Sequence, residues 1–134
     1  MQALNDLAWI YTDARHDHAK ALELANKGVK LDPDSPHLRD TRGVALTNLG
    51  KHKEAQDDFR RAVEILRERP GSDPDLARAL LQLARCQVRL KSTAAARSSA
   101  SEALEIDKKK NVLTTDERTE IAGILAGSAP EKQK

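Results

Sequence analysis

Apolar residues along the chain recur at three- and four-residue steps. Leu4, Leu7, Ala8 and Tyr11 do so near the start; Ala55, Phe59, Ala62, Val63 and Leu66 in the middle; Leu76, Leu80, Leu83, Ala84 and Leu90 later. This spacing lays one apolar stripe along a helix, and no stretch shows the alternation of a half-buried strand. Breakers separate the periodic segments: "DPDSP" at 32–36, "LGK" at 49–51 and "RPGSDP" at 69–74. Ser35 before Pro36 and Asp73 before Pro74 each predict an N-cap followed by a first-turn proline. Thr114 with Glu117 predicts a capping box opening a last helix over about 115–126, which Gly127 ends. The closing "SAPEKQK", residues 128–134, is expected to be a flexible tail. The pattern predicts an all-α protein.

The helical segments repeat. "LAWIY…AKALELANKGVKLDP", "RGVAL…KEAQDDFRRAVEIL" and "LARCQ…AAARSSASEALEID" align: Leu7-Ala8, Arg42-Gly43 and Leu83-Ala84 share one slot, and Ala21, Ala25 and Gly28 match Ala55, Phe59 and Ala62, then Ala96, Ala100 and Ala103. Ala8 to Gly43 is 35 residues. The period and small-residue slots resemble the tetratricopeptide repeat, most specifically in the middle copy through Gly43, Leu46, Gly50, Glu54-Ala55, Phe59 and Ala62. The resemblance covers residues 3–107. It implies a right-handed superhelix of stacked antiparallel helix pairs, with units at about 1–34, 35–70 and 74–108 and a C-terminal capping helix, together a domain over 1–127. The small residues have a steric reason: Ala8, Gly43 and Ala84 on first helices must meet Ala21, Ala55 and Ala96 on second helices at close approach.

The repeat also interprets "DARHDHAK" at 13–20, whose histidines and aspartates resemble a metal site. Aligned with "NLGKHKEA", it places His18 and His52 in one slot before a second helix, where the family often has an aromatic ring packed on the turn. We therefore read His18 as closing the turn and His16 and Asp17 as solvated. Metal binding by His16, Asp17 and His18 would lack supporting groups to orient the ligands. No metal and no cofactor are expected.

Two features depart from the family. Ala55 to Ala96 is 41 residues, about two helical turns beyond the usual period, which predicts a second helix lengthened through "ILRER" to Pro70 or a longer loop after it. Arg39 and Arg42 stand where the family prefers apolar residues. Their stems are expected to pack while the guanidinium groups reach water or a carboxylate such as Asp57 or Asp58.

Composition narrows the function. Aromatic residues are 2% of the chain and the net charge is +2, so neither the basic excess nor the stacking platforms of a nucleic-acid binder are present. No run is apolar enough for membrane insertion. "MQALNDLAWIYTDA" has no basic head, so it is not a secretory signal and the cytoplasm is the expected compartment. The single cysteine, Cys86, falls on an apolar helix face. Ser98, Ser99 and Ser101 have no nucleophile turn and no histidine in their repeat, and no phosphate loop occurs. No catalytic residue is expected and the protein is not read as an enzyme; a subunit whose catalytic part lies elsewhere is the minor alternative.

The resemblance implies binding of a peptide or helix of a partner protein in a groove lined by first helices. The register assigns Asn5, Trp9 and Thr12 to it from the first copy, Asp40, Thr41, Val44 and Asn48 from the second, and Arg78, Gln82, Arg85 and Arg89 from the third. The last four form one stripe with no acid within it, so an acidic segment or C-terminal carboxylate is expected toward the third copy, with Trp9 as an apolar anchor. Relatives that grip the acidic C-terminus of chaperones use lysines, asparagines and an arginine in fixed slots. Here those slots hold Asn5, Trp9, Thr41, Arg78 and Gln82; only Arg78 has the right character, so that clamp is not expected. The alternative to groove binding is assembly: Ala3, Leu7 and Ile10 would pack on a preceding helix, so a homo-oligomer or a segment of a longer array is expected to associate through the helical ends.

Overall fold

The computed structural model describes residues 2–13 and 16–127. The expected tail at 128–134 lies outside the described residues, which contain seven helices and no strand. They are α1 (Gln2–Asp13), α2 (His18–Leu31), α3 (Pro36–Asn48), α4 (His52–Arg67), α5 (Asp73–Arg89), α6 (Thr93–Lys110) and α7 (Thr115–Leu125). They fall into two compact units, Met1–Ile65 and Leu66–Lys134.

In the first unit α1 packs on α2, and α3 packs on both. Ala8, Leu24 and Ala25 form a buried cluster flanked by Leu4 and Tyr11. The small residues Ala8, Ala21, Gly43 and Ala55 are all buried, as close approach between helices demands. Gly43 has a particular cause. A Cβ built there would lie 2.6 Å from Phe59 Cε1, so the α4 ring occupies the space a side chain on α3 would need. Phe59 is itself 2% exposed.

Ser35 caps α3, its hydroxyl accepting from Leu38 N–H at 3.2 Å, with Pro36 in the first turn. The second proline differs from expectation. Ser72, not Asp73, is the N-cap residue of α5, and Asp73 is already helical. The Ser72 hydroxyl does not cap. It lies 2.6 Å from the Leu66 carbonyl and 2.7 Å from that of Arg69, satisfying the end of α4. Asp73 and Asp75 then stand in the first turn, where the helix dipole favours negative charge.

The excess length between the second and third copies is shared. α4 has 16 residues to the 14 of α2, and α5 has 17 to the 13 of α3. The second helix therefore ends at Arg67 rather than at Pro70, and most of the excess lengthens the first helix of the third pair.

In the second unit α5 and α6 pair, and α7 packs on both. Leu80, Leu83, Ala84, Cys86, Ala96, Ala100, Ala103, Ile121 and Ile124 are buried, and Ser99 Oγ donates to Gln87 Oε1 at 2.8 Å within the core. The capping box of Thr114 and Glu117 opens α7, and Gly127, at φ +82°, follows its end. The turn into α7 is organised by Asp107, whose buried carboxylate accepts from Leu113 N–H at 2.8 Å and Arg118 Nε at 2.6 Å. Arg118 also donates to Asn111, a left-handed residue that ends α6.

The charge-assisted bond from Arg118, and then the Leu113 N–H, hold the Asp107 carboxyl down to about 2 from an ordinary 3.8. A folded value below the unfolded one gives stability that is fully present above about pH 4 and lost as pH falls toward 2. Wild type should therefore lose melting temperature across this window more steeply than Asp107→Asn, which should already be weaker at pH 7. Parallel curves for the two proteins in circular-dichroism melts from pH 7 to pH 2 would refute this role.

Candidate functional site

The first helices carry every residue assigned to the groove, and packing divides these residues by accessibility. In the first unit Trp9 is 37% exposed, Asn48 is exposed, and Asp40 and Val44 are half-buried. Thr41 is 1% exposed and Thr12 is also buried. The contact between α1 and α3 brings Thr41 Oγ1 to 2.6 Å from Asn5 Oδ1 and 2.8 Å from the His37 carbonyl. The hydroxyl has one proton to give; turning the Asn5 amide over lets it donate to the same oxygen. Asn5 and Thr41 are thus brought together and engaged with each other. Trp9, Val44 and Asn48 keep surface for a ligand.

In the second unit the α5 stripe is less uniformly cationic than its sequence. Arg85 makes a two-bond pair with Glu120 of α7, Nε to Oε2 at 2.6 Å and Nη2 to Oε1 at 2.7 Å. Its Nη1 also donates to Gln82 Oε1 at 3.2 Å. Arg78 is exposed and reaches the Val112 carbonyl at 3.4 Å. Arg89 is exposed and, among the described residues, makes no hydrogen bond or ion pair. No acid interrupts the stripe along α5, but α7 supplies one from 35 residues away. The expected capping helix is therefore also a source of charge, which spacing within α5 had no means to reveal.

The histidines occupy equivalent places as the first residues of α2 and α4, with both Nδ1 atoms buried. His16 is exposed at φ +54°, its ring edge-on to His18 with centroids 6.3 Å apart. Asp17 does more than meet solvent: it caps α2, accepting from Lys20 N–H at 3.1 Å, and its own N–H donates to the Tyr11 carbonyl. Capping accounts for an aspartate between two histidines. Among the described residues no group of three or more His, Cys, Asp or Glu could hold a metal ion, and no helix is long and apolar enough to cross a membrane.

Arg39 and Arg42 converge on one carboxylate. Arg42 donates to Asp58 from Nε at 2.7 Å and Nη2 at 2.8 Å, and Arg39 from Nη1 at 3.2 Å. Asp58 is buried while both arginines keep an edge in solvent. The hydrogen bond to Asp58 raises the Arg42 pKa further above its ordinary value. Of the two candidate carboxylates, helix rotation chooses Asp58: Asp57, one residue earlier, points outward and is exposed.

Comparison with solved structures identifies the same architecture. The translocator chaperone SycD of the Yersinia enterocolitica type III secretion system aligns with 99% of this chain and 86% of its own, at a TM-score of 0.80 and 16% identity. The first TPR of Spaghetti (RPAP3), bound to the HSP90 peptide SRMEEVD, aligns over 94% and 90% of the two chains, with a TM-score of 0.77 and 20% identity. The TPR2B domain of yeast Sti1, in complex with an Hsp70 peptide, aligns over 98% and 99%, with a TM-score of 0.74 and 22% identity. At these identities the likeness is one of fold. Residues 37–109 match the tetratricopeptide repeat in sequence as well, and with more than half its length so matched this chain belongs to the tetratricopeptide repeat family.

Proposed function

We propose that this chain is a non-catalytic interaction module that takes a peptide or helix of a partner protein on its first-helix surfaces. Family membership supports a protein-interaction role in general, and two of the similar folds are solved with chaperone peptides. The observation that carries the specific reading is the exposure of Trp9, Asn48, Arg78 and Arg89 on first helices whose other faces are buried in the cores. Trp9 serves as the apolar anchor. Arg78 and Arg89 supply the charge for an acidic segment, since Arg85 is largely neutralised by Glu120. With Asn5 and Thr41 engaged together, the ligand differs from the chaperone tails that clamp-bearing relatives bind.

Partners should be captured by pull-down and tested against Arg78→Glu/Arg89→Glu. Arg85→Glu is the wrong probe, because it would set two carboxylates against each other across α5 and α7. The double variant should bind an acidic partner several-fold more weakly with an unchanged melt, and raised salt should act on wild type in the same direction. Equal binding by wild type and variant at low salt would remove the groove reading. Association through helical ends would then take its place: on α1, Leu7 is 41% and Ile10 47% exposed, and light scattering would find a concentration-dependent oligomer that Ile10→Glu dissolves.

A further inference from the structure

The first unit holds a cavity of about 440 Å³ away from the surface assigned to the groove. Arg39, Arg42 and Leu46 line it from α3, on the helix face opposite Thr41, Val44 and Asn48. Leu22 and Asn26 enter from α2, and Asp58 from α4. Its inner wall is unusual in what it leaves unused. Both Asp58 oxygens accept from arginine, Arg39 Nε donates to the Pro33 carbonyl at 3.0 Å, and Arg42 Nη1 donates to Asn26 Oδ1 at 3.2 Å. Each guanidinium has more N–H donors than these bonds use, so Arg39 and Arg42 both keep free donors on Nη1 and Nη2. Asp58 has its oxygens filled and cancels one of the two positive charges. The wall therefore presents donors in excess and one net positive charge.

We propose that this cavity is a second binding site, which takes a single carboxylate against the paired guanidinium groups of Arg39 and Arg42. A planar carboxylate matches the planar donor forks, and the half-buried position strengthens the bonds relative to water. Lys51 lines the same cavity and adds a second cation at the exposed edge. Glu54 and Asp57 also line it and are exposed; they bring the formal charge of the whole lining to zero, which disfavours a doubly charged phosphate and leaves the attraction to the inner wall of Arg39 and Arg42. The carboxylate can come from an acidic side chain or from a chain terminus, and the site is independent of the groove on the other face of α3.

The test is nuclear magnetic resonance on the whole chain, following the Arg39 and Arg42 Nε–H signals and the Asn26 side-chain amide. N-acetyl-glutamyl amide presents a side-chain carboxylate, N-acetyl-alanine a terminal one; inorganic phosphate and sodium chloride are run at matched ionic strength. Either carboxylate should shift these signals saturably in the millimolar range, the tighter of the two naming the source. Arg39→Gln, which leaves Asp58 paired with Arg42, should weaken binding about tenfold, and Lys51→Gln should weaken it less. A response no greater than that to chloride, tighter binding of phosphate, or equal binding by Arg39→Gln would each overturn the proposal.

Discussion

Phe59→Ala should cost the first unit about 3–5 kcal/mol, the range for emptying a fully buried aromatic site. That is a large part of the total stability of a small domain. Phe59 is the only phenylalanine of the chain, and nearby small residues, Ala55 and Ala62 on its own helix and Gly43 beneath the ring, cannot move in to fill the void. Urea unfolding followed by tryptophan fluorescence isolates the effect, because the single tryptophan, Trp9, lies in the same unit. Gly43→Ala approaches the same contact from the other side. Alanine favours a helix over glycine by about 1 kcal/mol, yet here its Cβ would stand 2.6–3.0 Å from three ring atoms of a buried side chain. The variant should be destabilised, and Phe59→Leu added to it should cost less than Phe59→Leu alone. Strictly additive effects, or an unchanged urea midpoint for Phe59→Ala, would mean that ring and glycine do not share this space.

Asp58→Ala should cost about 2–3 kcal/mol. Removing one partner of a buried ion pair costs roughly 3–5 kcal/mol because the other charge is left without compensation. The lower figure applies here because the arginine side chains are 21% and 24% exposed and can turn toward water. Arg42 also keeps its bond to Asn26. The loss should be independent of pH across the neutral range, since arginine stays charged throughout. Replacing all three charged residues together, as Arg39→Leu/Arg42→Leu/Asp58→Leu, should restore most of the stability or exceed wild type, because desolvating the ions offsets much of their attraction. A double-mutant cycle between Arg42 and Asp58 should give a coupling above about 1 kcal/mol; a coupling of zero would make the pair incidental to stability.

Apolar periodicity by itself determined the helices, because a stripe at three- and four-residue steps can be buried in only one backbone conformation. The small slots at Ala8, Gly43 and Ala84, repeated in register, identified the family. Local chemistry was legible at Ser35, which caps α3, and at Thr114 with Glu117, which open α7, but not at Asp17, read as solvated, whose side chain caps α2. It misled where a short side chain had a choice of partners, as at Ser72, whose hydroxyl turned back to the carbonyls of Leu66 and Arg69 and left helix initiation one residue earlier than Asp73 implied. Contacts between distant segments were decided only by tertiary packing. Arg85 reads as a free cation along α5 until α7 lays Glu120 across it, and Asn5 and Thr41 read as ligand-facing until α1 packs on α3 and turns them to each other. Sequence spacing fixes which residues share a face of one helix. Which charge from another helix meets that face depends on where the chain returns, and that is set by packing of the whole unit.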